Sequence, residues 1–308
     1  NLGEFDFWNS ENWNLFKLRL AYGQSGNFAE FGSVFTSLVS TNIGGTPGSL
    51  INTLQGNADV APERQEELEF GADLGFYDNR ITLEATYYIK NVTDLLLEAQ
   101  TPESSGFTTQ VTNAADLRNK GIEIALGAEL VRNDNFNWYT RPSFWLNRSE
   151  ITRLDIPSFA VGAFGTTLAT YYVDTGASAT QIVGIVEEGD YDPSQNLPAG
   201  LGKIGDSEPD FQMAWYNDLT YGKWSLSFNF HWKQGGDNIN LSTLLSDIFG
   251  TSPDFDDTTL DPTGTLNNGL YRLTALGVTA TPWVEDASYI RLREIGLYYT
   301  LDRQKLAD

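Results

Sequence analysis

The stretch GADLGFYDNRITLEATYYIK, residues 71–90, carries two runs of strict alternation joined by four turn-forming residues, Tyr77 to Arg80. Ala72, Leu74 and Phe76 share one face of the first run, and Ile81, Leu83, Ala85, Tyr87 and Ile89 share one face of the second. Asp73, Gly75, Thr82, Glu84 and Lys90 fall on the other face. A side-chain period of two is that of a β-strand, so the stretch is a hairpin with one apolar side and one charged side. The fold depends on which of the two faces the interior.

The same period recurs along the chain and predicts eight strands, near 14–22, 66–76, 81–90, 121–130, 136–146, 211–219, 224–232 and 289–301. In the fourth, Ile122, Ile124, Leu126, Ala128 and Leu130 oppose Glu123, Gly127 and Glu129; in the seventh, Trp224, Leu226, Phe228, Phe230 and Trp232 oppose Ser225, Ser227, Asn229 and His231. The last changes parity midway, from Ile290 and Leu292 to Ile295, Leu297 and Tyr299. One extra residue near Arg293 and Glu294, a β-bulge, would restore a single apolar face.

Three connections are short turns, Tyr77 to Arg80, Val131 to Asn135 and Thr220 to Lys223, while 23–65, 91–120, 147–210 and 233–288 read as long polar loops. Short and long alternate, so the tight turns lie at one end of the sheet and the long loops at the other. Compact soluble domains usually connect elements with about 4 to 6 residues, whereas transmembrane barrels join short periplasmic turns to long extracellular loops. Strands of about 9 to 11 residues also suit a tilted bilayer crossing. Aromatic residues gather at the strand ends: Phe76, Tyr77, Phe136, Trp138, Tyr221 and Trp224 near the short turns, and Tyr22, Tyr87, Trp145, Trp215 and Trp232 toward the loops. Their rings suit the two membrane interfaces. A soluble sandwich or barrel is the competing reading of the alternation, and loop asymmetry with aromatic placement favours the membrane.

Composition narrows the function classes. The chain of 308 residues carries 19 basic and 41 acidic residues, a net charge of -22. That charge would repel the phosphates of nucleic acid. Without cysteine there is no disulfide, thiolate metal site or cysteine nucleophile. No basic and apolar leader is expected at NLGEFDFWNS, and no run of about 18 apolar residues predicts a spanning helix. A single histidine excludes paired imidazoles, and neither a nucleophile elbow nor a phosphate loop occurs. Glu66 and Glu67 are adjacent and so point to opposite faces of a strand. No enzyme is expected.

The segments at 61–97, 119–154, 204–240 and 284–301 resemble, in order and spacing, successive barrel segments of the SusC/RagA family, TonB-dependent outer-membrane transporters of Bacteroidota. The resemblance implies an all-β, antiparallel transmembrane barrel of about 22 strands, of which this chain supplies about eight from the C-terminal part. It further implies an N-terminal plug domain contacted by TonB, a SusD-like lipoprotein over the extracellular loops, and import of an oligosaccharide or peptide. The plug, the TonB-binding segment, the early strands and the closing aromatic-ended strand are expected to lie outside these residues. A structural or adhesive barrel without active uptake is the alternative from another class.

On this reading the apolar faces meet outer-membrane lipid. Arg19, Glu69, Asp73, Glu84, Glu123, Arg141, His231 and Arg291, together with Lys17 and Arg293, are then expected to line the lumen. Phe28, Phe31, Phe107, Tyr171, Tyr172, Tyr191 and Trp283 fall in the loops and are candidates for ligand or partner contact. Asp254, Asp256, Asp257 and Asp261 offer hard oxygen ligands suited to calcium. They lack the glycine and the terminal glutamate of an EF-hand, so a solvated acidic loop is the better reading and no cofactor is expected.

Overall fold

The computed structural model describes residues 12–162, 165–195 and 197–301; the sequence features read at residues 1–10 and 302–308 lie outside them. Eight long strands form one antiparallel wall: β1 (Trp13–Asn27), β2 (Glu63–Phe76), β3 (Ile81–Gln100), β4 (Thr109–Arg132), β5 (Phe136–Leu154), β6 (Phe211–Tyr221), β7 (Trp224–Gln234) and β8 (Tyr289–Tyr299). Each pairs with its sequence neighbours, leaving β1 and β8 at the edges. The opening hairpin is β2–β3, in register from Phe76 opposite Ile81 to Arg64 opposite Thr93.

The tight turn is made by three consecutive residues with positive φ, Tyr77, Asp78 and Asn79, at 51°, 56° and 59°. Asn14 of β1 clasps it, accepting from the Asn79 N–H at 3.3 Å and donating to Asp78 Oδ1 at 3.3 Å. Asn and Asp tolerate this left-handed conformation better than other non-glycine residues. At the other end of the wall the predicted bulge is present. Asn229 faces Glu294 and Phe230 faces Leu292, so Arg293 is the residue without a counterpart. The bulge returns Ile295, Leu297 and Tyr299 to the face of Ile290 and Leu292.

The strands are longer than the alternation indicated, and the expected loop 91–120 is mostly strand. β3 and β4 continue pairing up to Gln100 opposite Thr109. Two register shifts between Val92 and Leu96, with Asp94 at φ 56°, interrupt the period there. A period-two pattern cannot be followed through such a shift, although the backbone ladder resumes beyond it. Arg153 of β5 braces this region through Asp116 at 2.8 Å and Asp94 at 3.3 Å.

The longer connections have folds of their own. Between β1 and β2 stands an exposed hairpin, Leu38–Ile43 with Thr46–Ile51. Between β5 and β6 lies a four-stranded meander of residues Phe159–Val161, Thr170–Val173, Gln181–Ile185 and Leu201–Asp206. Between β7 and β8, the pair Asp237–Ile239 and Val284–Asp286 brackets two helices, α1 (Leu241–Ile248) and α2 (Asn268–Thr274). Asn240 and Asn267 cap these helices by accepting from the Thr243 and Leu270 amides. Ile182 of the meander packs with Ala169 and Ala280, ringed by Ile185, Ile204, Ile239 and Val284. The two longest connections therefore share one apolar core and form a single small subdomain above the wall.

Candidate functional site: the two faces of the wall and its mouth

Register fixes which side chains share a face. Leu18 lies opposite Ala72, Ala72 opposite Ala85, Ala85 opposite Ile124, and Ile124 opposite Phe144. Phe144 faces Met213, Met213 faces Trp232, and Trp232 faces Ile290. One apolar row thus crosses all eight strands, and the row on its loop side, Leu20, Phe70, Tyr87, Ile122 and Leu146, crosses the first five. Large apolar side chains on these rows stay exposed, among them Leu20 at 70% and Ile290 at 71%. A continuous apolar surface of this kind is what a lipid contact requires.

Two polar residues interrupt this face. Asn217 is fully buried beneath its neighbours and accepts from the Trp138 indole at 3.0 Å, while Thr140 accepts from the Trp215 indole at 2.8 Å. Each indole covers a polar side chain and satisfies its own N–H. Trp145 departs from the aromatic-belt expectation. Its parity turns it to the opposite face, where it stacks on His231 at 5.7 Å with an 11° interplanar angle.

That opposite face is predominantly polar, and Arg19, Glu69, Asp73, Glu84, Glu123, Arg141, His231 and Arg291 all lie on it. Arg19 donates to Asp73 at 2.9 Å and to Thr86 at 3.1 Å, with Lys17 3.6 Å from the same carboxylate. Arg141 reaches Glu84 at 3.2 Å across the one intervening strand, β4. Tyr88 lies flat over Gly121 and donates to Asn147 at 2.9 Å. Around it are Glu67, Glu69, Lys90, Asn119 and Glu123. His231 accepts from Arg293 at 2.9 Å through Nδ1, which is also 3.1 Å from the Tyr289 hydroxyl; the Arg291 guanidinium sits 4.6 Å above the Tyr289 ring. Because guanidinium only donates, Nδ1 is the acceptor and Nε2 carries the proton.

The loop aromatics divide. Phe28 and Phe31 are fully presented to solvent, and Phe107 and Tyr191 are half-buried. Tyr171 is partly exposed, with its hydroxyl 3.1 Å from Ser207. Tyr172 and Trp283 are buried, at 6% and 0% exposure, so these two pack the subdomain and present no ring to a ligand. Loop sequence without periodicity carries no signal that could have separated the two sets.

The acidic loop is likewise occupied internally. Arg272 of α2 donates to Asp247 at 2.7 Å and to Asp254 at 2.8 Å. Its hydrogen bonds hold the Asp254 carboxyl down to about 2. Burial alone would raise Asp247, but hydrogen bonds from Arg272 and Ser252 outweigh it and hold that group low. Asp261 accepts from the Leu266, Thr265 and Thr263 amides and from the Thr263 hydroxyl, which together hold it at about 2. Asp256 and Asp257 point to solvent. Among the described residues no group of three or more acidic or histidine side chains converges on one point.

A wall with one lipid face, one charged face and its loops at one end matches a known sequence family, TonB dependent receptor-like β-barrels, over residues 7–196. The chain belongs to that family. Among its relatives, TonB-dependent receptor P3 of Formosa agariphila is 28% identical across 92% of this chain and 32% of the relative. TonB-dependent receptor P26 of the same organism is 27% identical across 97% of this chain and 34% of the relative. The chain spans about a third of the length of these TonB-dependent receptors. Among solved structures, the RagAB peptide transporter superposes with a TM-score of 0.76 at 20% identity, covering 100% of this chain and 37% of that one. TonB-dependent receptors of this fold are outer-membrane proteins that cross the bilayer with strands, and β1 to β8 are eight of those crossings.

Proposed function

We propose that these strands form part of the wall and mouth of an outer-membrane importer that is energised through TonB and a plug domain. It takes up an oligosaccharide or a peptide with a SusD-like lipoprotein seated over its extracellular loops. The observation that carries this reading is the lumen face. Arg19, Asp73, Glu84, Glu123 and Arg141 form a charged lining across five adjacent strands, which suits an aqueous passage or a docked plug and has no use in a barrel closed by apolar packing. Phe28, Phe31, Phe107, Tyr171 and Tyr191 lie at the mouth, where rings can stack on sugars or grip a peptide.

The test uses the full-length protein in its native outer membrane. Uptake of labelled oligosaccharides and labelled peptides is measured in cells with and without functional TonB. Uptake of one class that disappears with TonB supports the reading and identifies the substrate. A protein that assembles normally, yet whose deletion leaves both uptakes unchanged, would be a structural or adhesive barrel instead.

A further inference from the structure

The outward face carries a feature that the importer reading leaves unused. At the loop end of the lipid-facing band, Lys120 of β4 stands directly opposite Arg148 of β5. Both side chains follow the outward parity of Ile122 and Leu146 one row below, and both are exposed. Like charges directly opposite each other on a sheet are destabilising, and here they occur in a chain with more than twice as many acids as bases. Lys120 makes no ion pair or side-chain hydrogen bond among the described residues. Arg148, by contrast, donates to the Asn147 carbonyl at 2.6 Å and to the Pro209 and Asp210 carbonyls at 2.9 Å, and it forms ion pairs with Glu208 at 3.5 Å and Asp210 at 4.0 Å. The next row outward is Arg118 opposite Glu150, with Arg118 tied to Asn91 at 3.1 Å.

We propose that Lys120 and Arg148 bind the phosphate of an acylated lipid of the outer leaflet. An anion there supplies the counter-charge that Lys120 lacks and accepts charge-assisted hydrogen bonds from Lys120 and from the outer edge of the Arg148 guanidinium. The acyl chains run down the rows below, which are continuous with the membrane-contacting band. The surface there is not flat. Pro142, Met213, Trp215, Phe230, Trp232 and Ile290 line an almost wholly apolar crevice of about 430 Å³ that starts on the strand of Arg148 and runs across β6 and β7 to β8, at the middle of the band. A crevice inside a lipid-facing surface is filled by a lipid chain, because water there would lack partners. The occupant is therefore a lipid that offers phosphate at the rim and hydrocarbon below it, and not a free anion.

The experiment uses full-length protein, purified in detergent and stripped of lipid. It is re-exposed to phosphorylated outer-membrane glycolipid, to the same glycolipid after enzymatic removal of its phosphates, and to inorganic phosphate; retained ligand is counted by native mass spectrometry. Phosphorylated lipid should be retained preferentially, and Lys120→Gln should lower that retention about fivefold, the size expected for one basic residue at a lipid surface. Lys120→Arg should restore it. Lys120 holds no internal bond, so folding should be unaffected, and unchanged heat-modifiability on gels checks this. Trp232→Ala should shorten lipid residence without removing phosphate selectivity. Equal retention of the dephosphorylated lipid, no effect of Lys120→Gln, or inorganic phosphate displacing the lipid at millimolar level would each overturn the proposal. Loss of retention with uptake intact separates this site from the importer reading.

Discussion

At the scale of single residues, the polar face is built by placing large side chains over missing ones. A Cβ on Gly121 would stand 2.3 Å from the Tyr88 ring and hydroxyl, and one on Gly71 would meet the Arg19 guanidinium at 2.8 Å. Glycine in a strand interior normally weakens it; here it lets Tyr88 lie against the wall and reach Asn147. Gly121→Ala is expected to expel the Tyr88 ring and cost about 1 to 3 kcal/mol, in the range of overpacking. In the Tyr88→Ala background the same change should cost almost nothing. A double-mutant cycle on heat-modifiability midpoints measures the coupling, and an additive result would show that the two residues do not depend on each other. By contrast Arg141 and Glu84 are both substantially exposed, and Glu84→Gln should change stability by less than about 1 kcal/mol.

At the scale of elements, legibility follows periodicity. Strand existence, face and order could be read in the sequence because a bilayer forces strict alternation on every crossing, and even the extra residue at Arg293 announced itself as a change of parity. The extensions of β3 and β4 above the membrane could not be read, because the register shifts around Asp94 break the period. The subdomain made by the two longest connections could not be read either. Its contacts, such as Ile182 with Ala280 and Arg272 with Asp247, join residues far apart in sequence and without repeat. Deleting Arg293 is expected to turn either Ile290 and Leu292 or Ile295 and Leu297 toward the lumen and so to block assembly, whereas Arg293→Ala keeps the bulge and should assemble. Heat-modifiability of the membrane fraction distinguishes them; a well-assembled deletion would mean that the bulge does not set the register. In the subdomain, Arg272→Ala leaves the buried Asp247 without its counter-ion and should cost about 3 to 5 kcal/mol locally, read as faster proteolysis within 241–286 with the wall intact. The pH dependence has a definite sign. Asp254 is about 2 when folded and about 3.9 when unfolded. Its stabilising contribution is therefore complete above the unfolded value and is lost as pH falls toward the folded one. Protease resistance of the loops should hold at pH 5 and decline between about 4 and 2, and Asp254→Asn should weaken that decline.

At the scale of the whole molecule, the wall reverses the usual distribution of side chains, with charge inside and hydrocarbon outside. This is stable only where the surroundings are lipid, because the backbone groups of the band find partners in neighbouring strands and the apolar side chains need no water. It follows that residues adjacent in sequence should respond oppositely to the same substitution. Ile124 lies in the row of the lipid-facing side that crosses all eight strands, and Glu123 beside it lies on the polar face opposite Trp145. Ile124→Arg puts a guanidinium near the bilayer midplane and is expected to cost about 2 to 4 kcal/mol. Glu123→Arg, in an aqueous passage rich in carboxylates, should cost less than about 1 kcal/mol. Refolding of the full-length protein into lipid vesicles across a urea series measures both. A soluble fold of the same chain would bury Ile124 in a protein core and would also penalise Ile124→Arg, so the deciding arm is the medium. In detergent micelles, which deform around a charge, the Ile124→Arg penalty should shrink by at least half relative to vesicles, while a penalty that is the same in both media would place Ile124 against protein and not against lipid.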